Sequence, residues 1–289
     1  MMTLVNRPAR WWLLCLVFWL MGCSSLTPRS DPPRLGQMGK DVMWLPTGDD
    51  LVTHMLNVAR VTPEDTVVDL GSGDGRIPIA AARQFGARAW GIEYNPGLVD
   101  LARRKALQAG VQDQVKFVQG DIFKQDFSSA TVVTLYLLEE LNERLRPTLL
   151  AMRPGTRVLS NTFSMGDWEP DQELRVGKSV GYFWTVPARV QGRWQIDGLD
   201  PRGPALLQLT QHHQRAGGSL SWGLQSQPLL GVRIDGAELH FSYVNDRGEL
   251  KAVRTRVQAN AMEGQIVGPY GMLELEPPVQ KVSARRVGD

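Results

Sequence analysis

Residues 66–75 read Thr66-Val67-Val68-Asp69-Leu70-Gly71-Ser72-Gly73-Asp74-Gly75, a short apolar run that ends in an acid and is followed by glycines at alternate positions. The run from Val67 to Leu70 is too short and too β-branched for a helix, so it reads as a buried strand. The glycines turn the chain steeply, and Arg76-Ile77-Pro78-Ile79-Ala80-Ala81-Ala82-Arg83 opens a helix. Glycine is needed where the backbone takes positive φ, or where a ligand lies closer than a Cβ would allow. A dinucleotide fold uses G-x-G-x-x-G at such a turn and sets a pyrophosphate on the helix N-terminus. Here the spacing is D-x-G-x-G-x-G. An acid directly before the turn repels a pyrophosphate and suits an ammonium group.

The flanking chain repeats the strand–helix alternation. Gly48-Asp49-Asp50 can cap a helix whose Leu51, Val52, Met55, Leu56 and Ala59 share one face. Gly86 is placed to end the helix after the turn. Ala89–Glu93 is a second strand, and Asn95-Pro96 starts a helix that runs to Ala109 and closes at Gly110. Val115–Val118, Thr131–Leu137 and Arg157–Ser160 supply further strands, the last after a helix broken by Pro147. Segments Tyr182–Pro187 and Val190–Ile196 are expected to complete an antiparallel edge. The fold class is α/β, a Rossmann-like doubly wound and mostly parallel sheet with helices on both faces.

The D-x-G-x-G-x-G turn resembles motif I of class I, seven-strand methyltransferases, in which S-adenosyl-L-methionine presents its amino-acid end to this loop. In an open α/β sheet the ligand lies across the carboxyl ends of the strands, and three of those ends here carry acids. Glu93 ends the second strand, where a carboxylate can accept both ribose hydroxyls. Asp121 follows the third, where it can accept from an adenine amino group while Ile122 packs on the ring. An NAD enzyme would use an acid at Glu93 and would not need Asp69 or Asp121.

A longer series narrows the resemblance. Met43-Trp44-Leu45-Pro46-Thr47, Asp69 to Arg76, Gly91-Ile92-Glu93-Tyr94-Asn95-Pro96 and Leu135-Tyr136-Leu137-Leu138 come in this order. Leu145-Arg146-Pro147, Pro154-Gly155-Thr156-Arg157-Val158 and Asp167-Trp168-Glu169-Pro170 follow. Together they resemble the methyltransferases related to the ATP synthase c-subunit lysine N-methyltransferases, over residues 41–187. The resemblance implies S-adenosyl-L-methionine as cofactor, with the Pro46-Thr47 segment closing over its methionine end. It implies cofactor contacts at Trp44, Pro46, Thr47, Asp69, Gly71, Ser72, Gly73, Glu93, Tyr94, Asp121 and Ile122. Protein-lysine methylation belongs to part of that family, so the cofactor is implied more strongly than the acceptor.

Methyl transfer needs a nucleophile aligned behind the methyl group and little beyond orientation and desolvation. Tyr136, just after the fourth strand, is placed to line an acceptor pocket, and Glu139 or Asn142 could orient an amine. A buried tyrosine on a core strand is the alternative. His54 reads as structural. His212 and His213 are adjacent on a strand, so they are expected to point to opposite faces and to share no metal.

The N-terminus reads as an export signal. Arg7 and Arg10 precede the apolar run Trp11–Gly22, which is too short for a comfortable membrane span. Leu20-Met21-Gly22-Cys23 resembles a bacterial lipobox, which implies lipidation at Cys23, attachment to the membrane and location in the cell envelope. A start at Met38 would instead leave the body in the cytoplasm. Removing Arg7 and Arg10 from the 32 basic residues leaves 30 against 30 acidic ones, so charge gives no case for a nucleic-acid partner. Beyond Gly203, short segments separated by Gly217-Gly218, Asp235-Gly236 and Asn245-Asp246-Arg247-Gly248 read as a β meander. The organisation expected is a signal peptide over 1–22, a tether over 23–40 and a methyltransferase domain over 41–197. A small all-β domain over 198–276 and a loose tail over 277–289 follow. The leading function is S-adenosyl-L-methionine-dependent methyl transfer. The alternative is a non-catalytic membrane lipoprotein that keeps the fold as a binding or assembly module.

Overall fold

The computed structural model describes residues 34–36, 43–267 and 280–288. The signal peptide and Cys23 lie outside the described residues. Strand β1, Thr66–Leu70, forms because Val67, Val68 and Leu70 are buried on both faces of one sheet. It lies between β2, Arg88–Glu93, and β4, Val132–Leu135, both parallel to it. Strand β3, Val115–Gln119, extends one side and β5, Arg157–Asn161, the other. With β6, Gln172–Val176, and β7, Ser179–Thr185, the sheet order is β3-β2-β1-β4-β5-β7-β6, so the winding reverses between β1 and β4 and opens a crevice at their carboxyl ends.

Helices cover both faces. Helices α1, Asp49–Val58, α2, Arg76–Phe85, and α3, Pro96–Gln108, bury their apolar stripes in the core that holds Val67. The helix α4, Glu139–Leu150, packs on the opposite face with Val68 and Leu70. Sequence signals set the helix ends. Asn95 Oδ1 accepts from the backbone of Gly97 and Leu98 at the start of α3, and Gly86 takes φ +70° beyond α2. Pro147 does not break its helix as expected; α4 runs through it to Leu150.

The antiparallel edge also differs from expectation. It is built by β6, Gln172–Val176, and β7, Ser179–Thr185. The segment expected over Val190–Ile196 is β8, Gly192–Asp197, and it belongs to a second sheet. That sheet is antiparallel throughout and continues with β9, Ala205–His212, β10, Arg215–Trp222, β11, Gln225–Pro228, and β12, Leu230–Asp235. Strands β13, Glu238–Val244, β14, Leu250–Gln258, β15, Ala261–Val267, and β16, Lys281–Gly288, complete it. Its order is β11-β10-β9-β8-β16-β15-β14-β13-β12.

The two edge strands of the second sheet, β11 and β12, are successive in the chain. Leu229, between them, donates its N–H to Gly218 O at 2.9 Å and so extends the β10–β11 ladder, and β12 comes back against β10, so the sheet curls on itself. This closure hides edges that would otherwise pair with other chains. Trp194, Leu207, Leu220, Phe241, Tyr243 and Met262 fill the interior, and Tyr243 Oη donates to Leu199 O at 2.6 Å. The loose tail expected over 277–289 is therefore wrong for its greater part. Alternation in Val282 and Ala284 buries one face of β16, which sits between β8 and β15 in the middle of the sheet. Among the described residues no helix is long and apolar enough to cross a membrane.

Removing residues 281–289 would leave β8 and β15 each without a neighbour and open the curled sheet. The deletion should abolish cooperative unfolding of the β domain, measured by near-ultraviolet circular dichroism. A loose tail would be deleted without effect.

Candidate active site

Tight turns deliver the functional side chains to the crevice. Gly71, Gly73 and Gly75 take φ of +78°, +53° and +78°, which residues with a Cβ rarely adopt. The glycines have separate tasks. A Cβ at Gly75 would fall 2.5 Å from the Phe117 ring, so this glycine lets α2 approach the sheet. A Cβ at Gly73 would lie 2.6 Å from Trp44 Nε1, because the segment before α1 crosses the turn there. Gly91, on β2, leaves room for the Ser72 side chain, which would meet a Cβ at 2.3 Å.

Trp44, Pro46, Thr47, Asp69, Gly71, Ser72, Gly73, Glu93, Tyr94, Asp121, Ile122 and Tyr136 all line one cleft of about 870 Å³, part of it open to solvent. Leu98, Leu137 and Leu141 add apolar wall, and Asp74 and Arg76 also reach it. Asn142 does not. It is fully buried and donates from Nδ2 to Phe163 O at 3.1 Å and Ser164 O at 3.0 Å, so it anchors the loop after β5. Its amide nitrogen is committed to that loop, and the side chain is not part of the cleft wall. Glu139 is exposed, and Ser164 Oγ donates to its carboxylate.

The floor is unusually acidic. Asp69 is buried at the end of β1, and Thr134 Oγ1 donates to its Oδ1 at 2.7 Å. Burial pushes the Asp69 carboxyl up to about 7 against the pull of Thr134, and nearby Glu93 and Asp74 add to the rise. Glu93 accepts from Gly73 N–H on Oε2 at 2.9 Å and from Asn95 N–H on Oε1 at 2.8 Å. Each oxygen keeps a further lone pair for a ligand. Asp121 Oδ1 accepts from Phe123 N–H at 3.0 Å, which turns the chain after β3.

Asp74 is treated differently from Asp69. Burial would push its carboxyl up, but hydrogen bonds from Arg76 and Lys105 hold it below the usual range. Arg76 donates from Nε to Asp74 Oδ1 at 3.1 Å and from Nη1 to Thr47 O at 2.6 Å. Asn161 Nδ2 donates to Thr47 Oγ1 at 3.0 Å. The segment that closes the cleft is thus pinned to the glycine turn on one side and to β5 on the other. Sequence reading did not assign Asp74, Arg76, Thr134 or Asn161. The first two lie inside the quoted motif and could have been suspected as a pair; nothing local marks the others.

The residues fit a ligand that carries both a cationic amino-acid end and a nucleoside. Ser72 Oγ is buried and has no hydrogen-bond partner among the described residues, and a buried hydroxyl without one is costly. The positive-φ cradle, the acidic floor and the apolar wall beside Ile122 match such a ligand's parts.

Residues 69–172 match the model of the ANTKMT methyltransferase domain. A protein-lysine N-methyltransferase of Saccharolobus islandicus is 41% identical over 137 residues, covering 47% of this chain and 85% of the relative. The mouse adenine nucleotide translocase lysine N-methyltransferase is 40% identical over 143 residues, covering 49% of this chain and 61% of the relative. The chain thus spans less than two thirds of the mouse protein. A crystal structure described as an RNA methyltransferase from Salinibacter ruber, in complex with S-adenosyl-L-homocysteine, is 50% identical. The similarity covers 50% of this chain and 96% of that one, with a TM-score of 0.50.

Because the folded pKa of Asp69 is raised, its effect on stability has a definite sign. Between the unfolded value near 3.8 and about 7 the folded state holds a proton that the unfolded state has lost. Stability therefore falls as pH rises through that window and levels off above it. Asp69→Asn removes the buried charge, so at pH 8 the ligand-free variant should be more stable by on the order of 2 kcal/mol. At pH 4 the difference should vanish. Thermal unfolding at the two pH values checks both.

Proposed function

The chain belongs to the S-adenosylmethionine-dependent methyltransferases that carry the ANTKMT methyltransferase domain, and from that footing we propose that its acceptor is the ε-amino group of a protein lysine. S-adenosyl-L-methionine is its methyl donor, supplying an electrophilic methyl on a sulfonium. The work left to the protein is binding, orientation and exclusion of water. In this reading Asp69 and Glu93 receive the ammonium and ribose hydroxyls, while Asp121 and Ile122 receive the adenine. Trp44, Pro46 and Thr47 cover the methionine end, with Gly71, Ser72 and Gly73 beneath it and Tyr94 at the ribose side.

The acceptor reading rests on the Saccharolobus relative, a protein-lysine methyltransferase of which the chain spans 85%. The cleft mouth suits that substrate. Tyr136 lines it, with the Phe163 ring 6.3 Å away between centroids, and Glu139 and Glu140 stand exposed at the start of α4. Aromatic and acidic neighbours favour a cationic side chain on approach. A negatively charged backbone of nucleic acid would be repelled by the same carboxylates. The chain as a whole, with 32 basic and 30 acidic residues, offers no compensating excess of positive charge.

Purified protein incubated with labelled S-adenosyl-L-methionine and cell extract should place label in material sensitive to protease and resistant to ribonuclease. Tyr136→Ala should lower kcat by about tenfold or more with cofactor binding little changed. Label lost only to ribonuclease would assign an RNA acceptor and overturn the lysine reading.

We further propose that Cys23 carries a lipid that tethers the body to the cell envelope. The support is the basic, apolar, L-x-x-C order of residues 7–23. Cys23→Ser should remove metabolic labelling by fatty acid and leave the body folded. Equal label in both proteins would place any anchor elsewhere.

A further inference from the structure

The adjacent histidines 212 and 213 were expected to diverge across a strand, and they do not. Strand β9 ends at His212 and β10 begins at Arg215, which pairs with it, so His213 and Gln214 form a two-residue hairpin turn. His213 takes φ +52° there. Turns of this kind favour glycine, asparagine or aspartate at such a position, so an imidazole is held where a smaller residue would be easier. Gln211 supports the conformation by donating from Nε2 to His213 O at 2.7 Å. The result is that both imidazoles turn toward the loop after β5. Their ring centroids are 4.2 Å apart.

Asp167 meets them from that loop. His212 Nε2 and His213 Nε2 each lie 3.4 Å from the same carboxylate oxygen, Asp167 Oδ2. One ligand atom from each of the three residues falls within 4.8 Å of the others. This separation is long for a hydrogen bond. It is close to the edge of a tetrahedron whose centre lies about 2.0–2.1 Å from nitrogen and oxygen ligands, an edge of roughly 3.4 Å. His213 Nε2 is buried and meets no hydrogen-bond geometry with any of the described residues. Trp168 packs against the His213 ring at 6.2 Å between centroids. The other carboxylate oxygen, Asp167 Oδ1, pairs with Arg146 Nη1 at 2.5 Å, the outer support that fixes a ligating carboxylate.

We propose that Asp167, His212 and His213 form a binding site for a divalent transition metal such as Zn²⁺, with its fourth position open to solvent. Two neutral imidazoles and one carboxylate are a ligand set for zinc, cobalt or nickel and a poor one for calcium or magnesium. The site ties the β9–β10 hairpin to the loop that follows β5. That loop is the one Asn142 holds, and it sets Phe163 beside Tyr136, which lines the cleft. Metal occupancy therefore braces the β domain against the methyltransferase domain. The inference is independent of which acceptor is methylated.

The test uses the full chain, stripped with chelator and titrated with Zn²⁺ by calorimetry and with Co²⁺ by visible absorption. One equivalent should bind with a Kd of about 10 μM or tighter, and Co²⁺ should give the intense bands of a four-coordinate nitrogen–oxygen site. His212→Ala should weaken binding by at least about tenfold and remove the rise in unfolding temperature that Zn²⁺ produces, with S-adenosyl-L-homocysteine binding unchanged. His212 is largely exposed, so this variant should fold even if His213→Gln does not. Absence of binding at about 1 mM metal, or binding unchanged in both His212→Ala and Asp167→Asn, would overturn the proposal.

Discussion

The energetic centre of this protein is a carboxylate buried where no cation among the described residues pairs with it. Asp69 closes β1 with a single hydroxyl, that of Thr134, donating to it, and Glu93 and Asp74 stand close enough to raise its pKa further. A buried charge without a partner is costly, and the protein avoids that cost by keeping the proton until a cationic ligand arrives. Asp74 shows the contrast within the same turn. Arg76 and Lys105 neutralise it, so it serves the architecture and leaves Asp69 for the ligand.

The rest of the site follows from holding that carboxylate in place. The parallel register sets Asp69 beside Gly91 on one side and Thr134 on the other. Glu93, one strand away, fastens the glycine turn through Gly73 N–H and the start of α3 through Asn95 N–H. Arg76 and Asn161 then hold the Thr47 segment across the opening. A methyltransferase gains from this because its chemistry asks for position and dryness more than for acid–base groups.

Much of this was legible in the sequence because it is local. Strand, turn, helix and strand-end acids follow one another over residues 66–122, and motif I of the resemblance lies in the same stretch. What was not legible depends on distant partners. Val190–Ile196 has the alternation of any edge strand, and only pairing with β9 and β16 assigns it to the second sheet. Residues 281–288 carry few large apolar side chains, so nothing local distinguishes a central strand from a tail. The histidine pair failed for a different reason. Strict alternation assumes extended backbone, and the hairpin at His213 ends it one residue early. Asn142 looked like a polar residue near a cleft, yet its amide nitrogen is committed to the loop around Ser164.

The account turns on the protonation of Asp69, and proton release on cofactor binding measures it most directly. Calorimetric titration of S-adenosyl-L-methionine into the protein should be run from pH 5.5 to 8.5 in buffers of different ionisation enthalpy. Below about 7 the free protein holds the Asp69 proton and the cation-bound protein does not, so binding should release close to one proton. The affinity should rise with pH up to about 7 and then level off, and Asp69→Asn should flatten the curve. Affinity independent of pH, with no proton released at pH 6, would contradict the account.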